Sequence, residues 1–414
     1  VRKNIAFIIQ RYGLEINGGA EYHCRMIAEH LNTIYNVTIL TTCAKDYLTW
    51  ENDYAEGISH INSVNVQRFT VAGRRNLKKF HALSRYLNKR MLHQKILKAF
   101  GLLAAFERML PNDENKKKEE RLIDLQGPYV PNLIQHITEN QNNYDALIFF
   151  TYLYYPTVRG LNIAPEKSIL VPTAHDEPLI YLDIFKALFK LPEAILYNTA
   201  SEKRFVNRLF NNCNIYSDIV GLGVEAVTNG TSKNTEAFIK DGNPYLVYVG
   251  RVDPAKGCQV LFSHFLAYRK ATRSLLKLVV IGEVFMEVPK DESIILTGFI
   301  DESSKTSLLL KAKALVMPSF YESLSLVTLE SMANGIPVIA NKDCEVLKEH
   351  IENSQAGFLF NDYKSFEIAV NIINSPQFDA DTLSANGKRY IAENYTWDVT
   401  IKKYQKAIAQ INPR

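Results

Sequence analysis

Cysteine is sparse and scattered in this chain. Its five residues, Cys24, Cys43, Cys213, Cys258 and Cys344, show no C-x-x-C spacing, which excludes a zinc ribbon or a disulfide framework and leaves a reducing compartment as the natural reading. No uninterrupted apolar run is long enough to span a bilayer. Val1-Arg2-Lys3-Asn4 runs straight into Ile5-Ala6-Phe7-Ile8-Ile9, a strand-length segment without the longer apolar core and cleavage site of a signal peptide, so a cytoplasmic location is expected. A strong excess of one charge is missing too. The formal net charge is +4 over 414 residues, with 47% hydrophobic and 22% charged, which excludes disordered, collagen-like and coiled-coil classes.

That small total hides an asymmetry. Between Arg74 and Arg121 stand 14 Lys plus Arg against 5 Asp plus Glu, so the basic charge is concentrated in one insertion. Within it Leu92, Ile96, Ala99, Leu103, Phe106 and Leu110 recur at spacings of four and three, the stripe of an amphipathic helix. Two readings stay open for this helix. It rests on anionic lipid at the inner face of the plasma membrane, or it packs on the first domain with a solvated basic face. Nucleic acid is not expected, because no recognised binding motif is present.

The length suits two α/β domains of ordinary size. Short β-branched or aromatic runs alternate with helical-period stretches, the pattern of parallel sheets with helices on both faces. Ile5 to Ile9, Val37 to Thr41, Ala146 to Phe150, Ser168 to Val171 and Ala194 to Tyr197 read as strands of a first domain over residues 1–220, which carries the basic helical insertion 74–121. Tyr245 to Val249, Leu278 to Ile281, Ile294 to Leu296, Ala314 to Met317 and Pro337 to Ala340 read as strands of a second domain over 221–396. Gly221 to Pro244, rich in Gly, Asn, Thr and Lys, reads as the linker, and 397–414 as a final helix able to pack on either domain.

The strongest motif runs from Tyr321 to Val338. It follows the apolar strand Leu315 to Met317 and a Pro-Ser turn, then opens a helix that Asn334-Gly335 stops. Glu322 falls in the loop at the strand's carboxyl end, and Glu330 about two turns into the helix, with the helix N-terminus between them. That arrangement offers backbone N–H groups to a diphosphate and a carboxylate to ribose hydroxyls. An amphipathic helix with two solvated glutamates is the plainer reading of such spacing, but the flanking strand, turn and stop argue against it.

At these residues the chain resembles the retaining family-4 glycosyltransferases, of the bacterial surface-polysaccharide type and of GT-B fold, in which two Rossmann-like α/β domains with parallel sheets face each other across a cleft. The resemblance implies that Glu330 holds the donor ribose and that Glu322 faces the transferred sugar. The donor implied is a nucleoside diphosphate sugar, with a UDP-sugar favoured, and the acceptor a glycan or lipid-linked glycan hydroxyl. No metal and no separate cofactor are expected. Where the family usually carries Gly-Phe-Gly, this chain has Ser323-Leu324-Ser325, followed by Leu326. The close backbone approach to phosphate that glycine permits is therefore in question at this turn.

A second motif, Val249-Gly250-Arg251-Val252-Asp253-Pro254-Ala255-Lys256-Gly257, opens the second domain. Breaking a glycosyl–phosphate bond leaves negative charge on a diphosphate, and fixed cations stabilise the departing group more than the intact donor. By resemblance Arg251 and Lys256 are the paired phosphate-binding cations, with Gly250 at the same turn. By the same resemblance His175, in Pro172-Thr173-Ala174-His175-Asp176-Glu177, is the active-site histidine near the reacting centre, with Asp176 orienting it; no nucleophile is assigned. Gly18-Gly19-Ala20-Glu21 opens the first helical pattern, where two glycines expose N–H groups to phosphate or substrate. A turn demanded by chain geometry alone is the alternative there.

Weaker signals complete the reading. Gly221-Leu222-Gly223-Val224-Glu225-Ala226 matches a dinucleotide fingerprint, but Thr228-Asn229-Gly230 breaks the helix it would open. Asp379-Ala380-Asp381 fits a helix cap better than a metal site. Tyr152, Tyr154 and Tyr155 either stack on sugar rings or pack in the domain edge. Thr41-Thr42-Cys43-Ala44, with Asp46, Tyr47 and Trp50, carries the surface-polysaccharide resemblance. A nucleotide-sugar epimerase of the same fold and a non-catalytic sugar-nucleotide-binding subunit remain as alternatives.

Overall fold

The computed structural model describes residues 2–16, 18–99, 112–227, 238–239 and 241–411, the side chains of 90–99 and 112–113 aside. The chain divides into two compact units, Val1–Val220 with Ile401–Arg414, and Gly221–Thr400.

In the first unit one sheet contains β1 (Asn4–Ile8), β2 (Asn36–Thr42), β3 (Gly57–Ile61), β4 (Val64–Phe69), β5 (Ala146–Phe150), β6 (Ser168–Val171), β7 (Ala194–Tyr197) and β8 (Tyr216–Ile219). Their order is β3-β4-β2-β1-β5-β6-β7-β8, and only β3 runs antiparallel to its neighbour. Parallel strands covered on both faces are apolar throughout rather than alternating. Accordingly Ile5 to Ile8 and Ala146 to Phe150 are wholly buried. In the second unit β9 (Tyr245–Val249), β10 (Lys277–Ile281), β11 (Ile294–Gly298), β12 (Ala314–Met317), β13 (Val338–Asn341) and β14 (Gly357–Phe360) form an all-parallel sheet in the order β11-β10-β9-β12-β13-β14.

Each sheet is wound outward in two directions from its first strand. The connections therefore diverge at one crevice, between the carboxyl ends of β1 and β5 in the first unit and of β9 and β12 in the second. Open α/β sheets bind ligands at such switch points.

Four strands were not anticipated. β4 alternates buried Val64 and Val66 with exposed Asn65, and edge strand β3 leaves Ile58 74% exposed, so neither reads as an apolar run. β8 is only partly buried throughout, and β14 begins on Gly357.

The expected linker is in part a packed segment of the second unit. Val224 N–H donates to Tyr395 O (2.7 Å), Val227 N–H donates to Asn334 Oδ1 (2.9 Å), and Gly223 lies against the Trp397 ring. No helix opens over 221–227, and Thr228, Asn229 and Gly230 lie outside the described residues. The final helix, Trp397–Gln410, contributes its first turn to the second unit and the rest to the first, where Tyr404 is buried and Lys403 donates to Ile219 O (2.6 Å).

The basic insertion supplies the helices Leu77–Ala99 and Asn112–Gln126. Phe80, Leu87, Leu122 and Ile123 enter the core of the first unit, and the Lys118 ammonium sits 4.8 Å from the centre of the Tyr86 ring, tying the helices together. The side chains of Leu92, Ile96, Ala99, Leu103, Phe106 and Leu110 lie outside the described residues.

Candidate active site

In the second unit the candidate residues gather at the switch point between β9 and β12. Gly250 and Arg251 follow β9, and Glu322 follows β12. Gly257 explains how the two loops close on each other. Its φ is +71°, and a Cβ there would lie 2.1 Å from Pro318 O, so only glycine allows the turn to press against the loop after β12. That approach brings Lys256 Nζ to 2.7 Å from Glu322 Oε1, across 66 positions of sequence. Asp253, buried, accepts the Lys256 backbone N–H at 2.9 Å and pairs with the Arg251 guanidinium, which also lies 6.0 Å from the centre of the Phe285 ring.

Glu330 stands on the helix Leu326–Ala333, and its Oε2 accepts from Lys305 Nζ at 3.0 Å. Burial alone would lower the Lys305 ammonium, but Glu330 and Glu302 together hold it above its ordinary value, so it stays charged. Nothing in the sequence marked Lys305, 25 residues from its partner.

Ser323-Leu324-Ser325 differs from the expected phosphate turn in an instructive way. Ser325 adopts φ +59°, ψ 68°, the left-handed conformation that glycine takes at no cost, and caps the N-terminus of the helix. Its hydroxyl lies 2.8 Å from Thr328 Oγ1. Leu324 turns its side chain into the core. Its carbonyl faces His350 Nε2 at 2.8 Å, while His350 Nδ1 lies 3.1 Å from the Tyr390 hydroxyl. Burial pushes the fully enclosed His350 down, favouring its neutral form, so it anchors the turn without adding charge. His350 was missed because it is mid-helix and nowhere near the motif in sequence.

In the first unit His175 follows β6, with Thr173 at φ +51° turning the chain before it. The structure gives Asp176 another partner. The Asp176 carboxylate accepts the Tyr181 hydroxyl at 2.7 Å, and it is Glu177 whose Oε2 lies 3.6 Å from His175 Nε2. Glu177 is itself held by the Tyr152 hydroxyl at 2.6 Å. Tyr152 is buried against Phe185 and Phe189, and Tyr155 is buried beside Tyr129, so both are packing residues, while Tyr154 meets Trp50 edge to face.

Beneath the His175 loop lies Glu202, unmarked by any motif. Its two oxygens accept the backbone N–H of Ala174 (2.5 Å) and of Asn198 (2.6 Å), joining the ends of β6 and β7. Burial pushes its carboxyl up to about 8 against the opposing pull of those N–H donors.

Gly18 caps the helix Gly19–Leu31. A Cβ on Gly18 would lie 1.9 Å from Glu21 Oε2, so the glycine makes room for a carboxylate of this chain, while Gly19 faces open space. Glu21 Oε1 accepts from Arg11 Nε (2.9 Å) and Gln10 Nε2 (3.0 Å), and Gln10 Oε1 accepts from Thr151 Oγ1 (2.9 Å). This network bridges the loops after β1 and β5, the first unit's switch point. Asp379 caps the helix Ala380–Asn394 by accepting Thr382 N–H at 3.0 Å, and no group of His, Cys, Asp and Glu suited to a metal occurs among the described residues.

Residues 231–389 match the family described as glycosyl transferases group 1. An uncharacterized glycosyltransferase of Methanocaldococcus jannaschii is 23% identical over 96% of both chains. An uncharacterized 41.2 kDa protein in the cps region of Klebsiella pneumoniae is 26% identical over 50% of this chain and 58% of its own length. Among solved structures, Anabaena HepE in complex with UDP and glucose superposes with a TM-score of 0.68 at 14% identity, covering 99% of this chain and 100% of that one. At that identity the likeness shows the fold, two Rossmann-like units of the GT-B type.

Proposed function

We propose that this chain of GT-B fold is a glycosyltransferase that moves a sugar from a nucleoside diphosphate sugar to a glycan hydroxyl with retention of anomeric configuration. The observation that carries this reading is the meeting of Lys256 with Glu322 at the β9–β12 switch point, beside Arg251 and the N-terminus of a helix. A diphosphate entering there displaces a carboxylate from a cation that is already in place. The cations and the free N–H groups of the helix end then face the oxygens on which charge grows as the glycosyl bond breaks.

In the reaction proposed, the bond from the anomeric carbon to the diphosphate oxygen breaks. The acceptor oxygen bonds to that carbon on the same face, and its proton passes to the departing phosphate. Arg251 and Lys256 bind the diphosphate and supply the positive charge, so turnover is expected to survive chelation of divalent metals. Glu330 holds the ribose diol and Glu322 faces the transferred sugar. His175 is assigned to transfer rather than to donor binding, because it belongs to a different unit from the nucleotide machinery and is steadied by Glu177 and Tyr152. UDP is the favoured nucleotide, supported by the UDP complex of HepE. A role in surface polysaccharide assembly at the inner face of the membrane is supported by the resemblance at Thr41 to Trp50 and by the relative from a cps region.

A thermal-shift screen of nucleoside diphosphates and their sugars tests the donor, because a ligand that binds only the folded chain raises its apparent stability. Glu330→Ala should abolish the shift, whereas His175→Ala should keep it and suppress transfer. Absence of any nucleotide shift, or a product of inverted configuration, would sink the proposal.

A further inference from the structure

The basic stretch that stood out in the sequence begins at Arg74 and ends at Arg121, and in the folded chain its two ends line one cavity. Its volume is ≈ 250 Å³, and its walls include Trp50, Arg74, Arg75, Arg121, Asp124 and Tyr129. It lies at the carboxyl end of the first unit's sheet, since Trp50 follows β2 and Arg74 and Arg75 follow β4, the strand paired beside it. Trp50 meets Tyr154, after β5, at 5.7 Å between ring centres, so the cavity wall is continuous with the loop edge that carries Gln10 and Thr151.

The geometry points to this cavity as a subsite for the acid group of a saccharide acceptor, a carboxylate or phosphate borne on one sugar ring. This assignment rests on the transferase reading above for the word acceptor. Three arginines and one carboxylate line it, and that carboxylate, Asp124, is already paired with Arg159 at 3.2 Å. Among the described residues Arg121, which is exposed, has no ion-pair partner, and Arg74 pairs with Glu51. A planar guanidinium suits two oxygens of a carboxylate or phosphate at once.

Arg75 is fixed rather than free. It donates to Tyr47 O (3.0 Å) and to Gln126 Oε1, and lies 4.9 Å from the centre of the Phe80 ring. It therefore sets a positive floor without side-chain freedom to lose on binding. Tyr129, 41% exposed, offers an aromatic face to the apolar side of a sugar ring. The volume falls below the about 300–1,000 Å³ of a site for a drug-sized ligand, so one residue of a larger molecule fits and a whole nucleotide sugar does not.

Calorimetric titration of the full chain tests this with three probes: a glucuronic acid oligosaccharide, glucose 1-phosphate and a neutral maltooligosaccharide. At least one acidic probe should bind about tenfold or more tighter than the neutral one, with an affinity that falls as salt is added. Arg121→Ala, a change at an exposed position, should remove about tenfold of that preference while UDP binding stays unchanged. Which acidic probe wins separates a uronic acid from a phosphate as the source of charge. Equal binding of acidic and neutral probes, binding of neither, or an Arg121→Ala chain with undiminished preference would overturn the assignment. Loss of UDP binding by the parent chain, with the acidic probe still bound, would instead sink the donor reading and leave the cavity assignment standing.

Discussion

The two sheet ends solve opposite problems with similar residues. At the end of the second sheet the ion pairs are half open: Arg251 is 43% exposed and Lys256 30%, each resting on a carboxylate that an entering anion can displace. At the end of the first sheet the pairs are closed. Arg11 and Glu21 are 12% and 7% exposed, and Glu202 is buried with both oxygens bonded to backbone N–H groups. Exposed pairs add little to stability because water competes for both partners, whereas breaking a buried one leaves an uncompensated charge. The second unit's edge therefore keeps its cations within reach of solvent, as the proposed exchange of partners requires, and the first unit's edge holds loops still.

The sharpest way to break this contrast is at Lys256. Lys256→Ala should lower kcat about 10²- to 10³-fold, the usual loss when a group that stabilises charge in the transition state is removed. Its effect on unfolding should stay within about 1 kcal/mol, as for a partly exposed pair. Steady-state kinetics beside urea unfolding give both numbers. A large stability loss with little kinetic effect would place Lys256 in the scaffold and erase the distinction.

Glu202 tests the other side. Its carboxyl is raised from the ordinary 4.5 to about 8 by burial, so between those values the folded chain binds the proton more tightly than the unfolded chain does. Stability then falls as pH rises from about 4.5 to about 8 and levels off above. Glu202→Gln should remove that slope and, because an amide nitrogen now faces a backbone N–H, cost about 1–3 kcal/mol. Urea midpoints measured from pH 5 to 9 check it, and parallel profiles for the two proteins would refute the claim.

How much of this was legible follows from how local each signal is. The central strands could be read because burial on both faces makes them continuous apolar runs, while β3 and β4 were lost because an edge and an alternating strand lack that mark. Lys256 and Glu322 could be read because each lies just past such a strand. Lys305, His350 and Glu202 sit inside helices, and their roles come from packing across 25 or more residues, which no window along the chain contains. The partner of His175 is hard to read for a narrower reason. Asp176 and Glu177 are adjacent carboxylates, and the short 3-10 turn Pro178–Tyr181 brings the Tyr181 hydroxyl to the first, leaving the second for His175.

The smallest expected effect is that of Ser325→Gly, at a position where sequence and conformation disagree. A non-glycine residue in the left-handed region costs roughly 1–2 kcal/mol. Here the cost is offset by the contact of its hydroxyl with Thr328 Oγ1 at 2.8 Å, of the order of 1 kcal/mol, and the neighbouring Leu324 carbonyl is pinned by His350. Ser325→Gly should therefore relieve strain and lose the hydroxyl contact in nearly equal measure, changing stability by less than about 1 kcal/mol. Ser325→Val keeps the strain, adds a β-branch and loses the contact, and should cost more than about 2 kcal/mol. If the turn serves the donor through its backbone, Ser325→Gly should also leave UDP affinity within about twofold, because the N–H groups of the helix Leu326–Ala333 stay in place. A tenfold loss of UDP binding in Ser325→Gly would show that the serine hydroxyl itself carries recognition.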